Sequence, residues 1–160
     1  MEVTQREIDF MHKAIELSRN GITTNEGGPF GCVVVKGNEI IGHGWNKVTS
    51  TNDPTAHAEV VAIRDACTKL GAFQLTGCEI FTSCEPCPMC MGAIYWARPD
   101  KVFYANTHQD AAAVDFDDSF IYKELTTPVD DRKIPMIQVE RTEALKVFEE
   151  WRKKGDKTAY

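Results

Sequence analysis

An α/β fold, with a central mixed sheet between helices, is what the sequence predicts, and three observations predict it. β-Branched runs alternate with amphipathic helical periods along the chain; the first two strands are joined tightly enough for a hairpin; and the later strands are separated by segments long enough for helical crossovers. A chain of 160 residues, 42% of them hydrophobic, suffices for one good core, so a single domain over 1–160 is expected.

Each element has its own signal. Thr4 and Glu7 have capping-box spacing, and Ile8, Met11 and Ile15 follow with a helical period that Gly21 is expected to close. Gly27-Gly28-Pro29 breaks the chain before the run Phe30 to Val35, which turns at Gly37-Asn38 into a second run over 39–43, the pattern of a hairpin. Asp53-Pro54 supplies a capping carboxylate and a first-turn proline, predicting a helix from there to about Leu70, before Gly71. Strands over 78–83 and 101–105 flank a short helix over 86–96. Segments 110–125 and 143–154 are expected as helices around a last strand at 136–139, and 126–135 is the loosest stretch.

Composition excludes some functions. A net charge of -6 and a pI near 5.2 leave little basic surface for neutralising phosphates, so nucleic acid is an unexpected partner and a small neutral substrate fits better. The basic excess in 141–160 is read as a solvated helix face. The polar start MEVTQREIDF lacks a signal peptide's apolar core, and no apolar run has the length of a membrane helix. The expected location is therefore cytoplasmic, where closely spaced cysteines more often bind metal or catalyse than form disulfides.

The chemical signal is Thr55-Ala56-His57-Ala58-Glu59, followed thirty residues after His57 by Cys87-Pro88-Met89-Cys90. Cys87 and Cys90, three apart at a helix start, face one side, and the helix N-terminus favours their thiolates. His57 supplies a third zinc ligand, leaving the fourth tetrahedral position for water. Two thiolates offset the charge of Zn²⁺, so its water needs a protein base, and Glu59 is the candidate. Residues two apart on a regular helix point to nearly opposite sides, so His57 and Glu59 converge only if the pair sits at the helix end. The alternative is a closed, purely structural Cys₃His set that adds Cys84. Cys32, Cys67 and Cys78 read as small buried side chains.

His57-Ala58-Glu59 with Pro86-Cys87-Pro88-Met89-Cys90 resembles the H-x-E…P-C-x-x-C signature of the cytidine-deaminase-like zinc deaminases. The resemblance runs from Gly28-Pro29-Phe30-Gly31 through Gly44-Trp45-Asn46 and Asp53-Pro54-Thr55 to the tail. It is nearest to the bacterial guanine deaminases, which Phe116-Asp117-Asp118-Ser119-Phe120 and an aromatic C-terminus also resemble. It implies a three-layer α/β/α sandwich around a five-stranded sheet. It also implies hydrolysis of guanine to xanthine and ammonia, with zinc-bound hydroxide attacking C2, and a homodimer in which the tail, about 143–160, is exchanged to close the neighbour's pocket.

Carried over by position, the resemblance sets Phe30 against the flat base, Asn46 on its polar edge, the backbone around Ala58 by the ring near the metal, and Asp118 and Tyr160 where guanine is selected. By residue type alone, Phe30 is more often a strand core residue and Asn46 equally a turn residue, while Asp118 reads as a helix-terminal or solvated carboxylate and Tyr160 as a frayed end. The choice of Asp118 over Asp117 comes from the family pattern alone. The rivals are a deaminase of guanosine, cytosine or tRNA adenosine and, in another class, a zinc-stabilised interaction module.

Overall fold

The computed structural model describes residues 3–160, and its chain divides into two compact units, Met1–Asp118 and Ser119–Tyr160. The first unit holds the sheet. Helix α1 (Gln5–Thr23) starts at the expected Thr4–Glu7 capping box, with Thr4 N–H donating to Glu7 Oε2 at 2.9 Å. It runs past Gly21, which serves a close approach instead of a stop: a Cβ there would lie 2.5 Å from the Gly28 carbonyl oxygen. Strands β1 (Gly31–Lys36) and β2 (Glu39–Trp45) form the expected hairpin, with Gly37 at φ +59° in the turn.

After the short helix α2 (Val48–Thr51) comes α3 (Ala58–Leu70), which begins four residues later than the Asp53-Pro54 signal suggests. The Asp53 carboxylate accepts instead from the Thr55 amide at 2.8 Å and its hydroxyl at 2.7 Å, closing a local turn and leaving His57 as the helix cap. Strand β3 (Cys78–Cys84), helix α4 (Pro88–Ala97), strand β4 (Lys101–Asn106) and helix α5 (His108–Ala112) complete the first unit.

The sheet order is β2-β1-β3-β4, antiparallel except for the parallel pair β3/β4, so the mixed sheet is confirmed. Helices cover both faces. Cys32, Val34 and Ile80 pack with Ala58, Ala62 and Ala66 of α3 and Ile94 of α4, whereas Val33, Val35 and Phe81 pack with Ala14 of α1. The approach of α3 to the sheet is unusually close. A Cβ on Gly42 would sit 2.6 Å from the Ala62 carbonyl oxygen, and one on Gly44 2.6 Å from that of Ala58, so small residues on both elements set the depth of the helix.

The expected fifth strand is a correction: among the described residues the sheet has four strands, and 136–139 has no strand pairing. The helical segment expected over 110–125 is likewise broken, with Asp115 in the left-handed region at φ 72° between α5 and the next helix.

The second unit contains α6 (Ser119–Thr126), a single 3₁₀ turn (Val129–Asp131) and α7 (Arg141–Lys153). Within it the Arg132 Nε donates to the Thr127 carbonyl at 3.1 Å and the Lys133 amide to Glu124 at 2.9 Å. Among its described residues none is buried. No helix among the described residues is long and apolar enough to cross a membrane.

Candidate metal centre

Two helix starts meet above the sheet. His57 caps α3 with extended backbone angles, φ -68° and ψ 155°, and Cys87 caps α4 in the same way, φ -64° and ψ 167°, with Pro88 in the first turn. Because His57 is not yet helical while Glu59 is in the first turn, the two side chains converge although they are two residues apart. The helix-end condition set by the sequence is met.

The His57 Nδ1 lies 3.5 Å from the Cys87 Sγ and 3.5 Å from the Cys90 Sγ. Tetrahedral bonds of zinc length to one imidazole nitrogen and one thiolate put those atoms about 3.6 Å apart, so the donor set fits this metal. Among the described residues, His57, Cys87 and Cys90 form a group that could hold a metal ion, their ligand atoms all lying within 4.8 Å of one another. Cys84 stays outside it. That thiol ends β3 and points to the Thr107 carbonyl oxygen at 3.5 Å, away from the group of three, so the geometry does not favour the closed Cys₃His set.

The two clustered thiols shift in opposite directions. The hydrogen bond from Cys90, aided by His57, pulls Cys87 down to about 4, while the same bond and burial push Cys90 up. Cys87 also raises the His57 pKa through their hydrogen bond. Glu59, only 6% exposed, touches the cluster: the Cys90 thiol donates to its Oε2 at 3.3 Å, and the Thr82 hydroxyl to its Oε1 at 3.1 Å. Burial raises its pKa, which suits a group that takes up a proton and releases it again.

Around this centre the sequence-assigned residues fall unevenly. Ala58 is fully buried, at the start of α3. Asn46 is buried just after β2, with its amide N–H donating to the Phe30 carbonyl at 3.0 Å and its side-chain oxygen accepting from Val48 at 3.2 Å. The Phe30 ring meets Phe116 edge to face, centroids 4.9 Å apart. Asp118 is half-buried, its pKa raised by burial and then by the Cys87 charge, which sets it within electrostatic reach of the metal ligands. Tyr160 belongs to the second unit, where its side chain is exposed.

Three features escaped the sequence. Gly27 leaves room for Asn46, since a Cβ there would lie 2.1 Å from the Asn46 side-chain oxygen. Glu26 accepts from the Trp45 indole at 2.7 Å, tying the Gly27-Gly28 loop to the residue before Asn46. Thr82 is the third, and nothing in the strand sequence CEIFTSC, which also carries Glu79 and Ser83, marks it out.

Comparison with known proteins agrees with this geometry. Residues 4–106 match the cytidine and deoxycytidylate deaminase zinc-binding region. The chain belongs to that family. It is 57% identical over 151 residues to a guanine deaminase of Bacillus subtilis (strain 168), covering 94% of this chain and 97% of the relative. The X-ray structure of guanine deaminase from Bacillus subtilis superposes with a TM-score of 0.94 at 54% identity, over 99% of both chains. A tRNA-specific adenosine deaminase of Streptococcus pyogenes serotype M1 is 38% identical over 132 residues, covering 82% of this chain and 72% of the relative.

Proposed function

We propose that this family member is a guanine deaminase, hydrolysing guanine to xanthine and ammonia at a zinc ion held by His57, Cys87 and Cys90. The reaction class follows from an open three-ligand site with a buried carboxylate against it, an arrangement with no use in a purely structural zinc module. The substrate is carried by one observation, the 57% identity to a guanine deaminase over 94% of the chain, well beyond the 4–106 zinc-binding region.

Zinc bound there supplies a Lewis acid that acidifies a water molecule. Glu59 would take one proton from that water and pass it to the ring nitrogen as the C–O bond forms, then take the second from the resulting hydroxyl and pass it to the amine as the C–N bond breaks and ammonia leaves. Phe30 packs on the base, Asn46 and the backbone at Ala58 hold its edge, and Asp118 accepts from guanine N–H groups. A base without those donors leaves a half-buried carboxylate unpaired, which disfavours it by about 1–3 kcal/mol.

The whole chain, 1–160, works as one catalytic domain in a cytoplasmic homodimer, with residues about 143–160 exchanged so that Tyr160 closes the partner's pocket. The support is the second unit, in which Ile134, Ile137, Val139 and Phe148 are all more than 70% exposed within the chain and call for a covering surface. Purine breakdown is the setting that fits this reaction.

The test is ammonia release by zinc-loaded protein from guanine, guanosine, adenine, cytosine and an adenosine-containing tRNA stem-loop. Guanine is expected to respond strongly and the others weakly. A response to the RNA alone would overturn the substrate while leaving the metal chemistry standing.

A further inference from the structure

Thr82 sits in the middle of β3, paired with Cys32 of β1 on one side and Tyr104 of β4 on the other, and is 1% exposed. A β-branched side chain on a doubly paired, buried strand has little rotamer freedom, so its hydroxyl is a fixed post. Its nearest use is the Glu59 Oε1, to which it donates at 3.1 Å.

The last torsion of a glutamate is broad and roughly two-fold, so a free carboxylate does not choose which oxygen faces the metal ligands. Here the choice is made by what each oxygen meets. Oε1 is held by Thr82, and Oε2 is thereby turned to the Cys90 sulfur at 3.3 Å. A thiolate ligand has no proton to donate, so the Cys90 hydrogen bond is lost when that sulfur binds metal, whereas the Thr82 bond does not depend on the metal at all.

We propose that Thr82 is a positioning residue for Glu59, holding one carboxylate oxygen so that the other stays aimed into the metal centre. The inference rests on the reading of Glu59 as the proton carrier. It assigns the strand face beneath the site a role in turnover as well as in packing, and it predicts that the hydroxyl, not the volume, of residue 82 matters.

The experiment compares Thr82→Val, which keeps the shape and the β-branch, with Thr82→Ser, which keeps the hydroxyl, measuring zinc content, melting of the metal-free and zinc-loaded proteins, and kcat and KM for guanine. Thr82→Val is expected to hold one zinc per chain and to melt near the wild type. Its KM should stay within about twofold and its kcat fall roughly tenfold or more, the effect of losing a hydrogen bond to a charged group. Thr82→Ser should recover most of that kcat. Should valine not be tolerated in the strand, serine against alanine repeats the comparison. Wild-type kcat in Thr82→Val, serine and valine equally impaired, or a loss confined to KM or to zinc content would overturn the inference. Glu59→Ala serves as the reference: if that variant keeps wild-type turnover, the failure lies with the proton-carrier reading itself.

Discussion

Leu75, Ile80 and Phe81 are sealed from solvent, whereas Ile134, Ile137 and Phe148, no less apolar, are each more than 70% exposed. The first three belong to the unit ending at Asp118, where a sheet with helices on both faces gives each of them a place. The others belong to the unit from Ser119 onward, which has two helices, one 3₁₀ turn and, among its described residues, no buried side chain. Burial supplies about 25 cal/mol per Å² of apolar surface, and the second unit gains little of it by itself. The difference teaches that His57, Glu59, Cys87 and Cys90 lie within a unit that has a core of its own, whereas the unit from Ser119 onward buries none of its described side chains.

The sharpest way to break that comparison is Glu59→Ala. If the chemistry is confined to the first unit, turnover falls by a factor on the order of 10²–10⁴ while zinc content and melting stay near wild type, as metal analysis and an ammonia assay would read. A smaller effect is expected from deleting residues 156–160. On the proposed role of Tyr160, removing it should lower turnover by about tenfold with zinc retained, since His57, Cys87 and Cys90 are untouched. Full activity in the truncated protein would mean that the tail has no part in the site. The smallest effect is expected from Cys84→Ser, where the hydroxyl can still reach the Thr107 carbonyl: zinc stoichiometry unchanged and stability altered by less than about 1 kcal/mol. Stoichiometric loss of zinc in that variant would return the closed, structural site to contention.

Much of the first unit was legible because its signals are local. The Thr4–Glu7 box, the turn at Gly37 and the helix closed by Gly71, whose φ is +60°, each depend on a few adjacent residues. Misreadings arose where two local outcomes compete or where a distant partner decides. Asp53 has the chemistry both of a helix cap and of a turn, and the Thr55 hydroxyl decided for the turn. A β-rich run such as 136–139 becomes a strand only if another strand lies beside it, and among the described residues it pairs with none.

The amino-acid sequence by itself determined the reaction class. On the proposed reading His57, Glu59, Cys87 and Cys90 carry it through residue type and spacing, because ligand softness and proton affinity are properties of the side chains themselves. Only the tertiary structure decided that these groups can work together. It set His57 outside the helix and Glu59 within it, turned Cys84 away toward Thr107, and put the Thr82 hydroxyl against Glu59 from a strand twenty-three residues on. Direction and distance between side chains depend on how deeply α3 settles onto the sheet at Gly42 and Gly44, and that depth is a property of packing which no spacing of letters encodes.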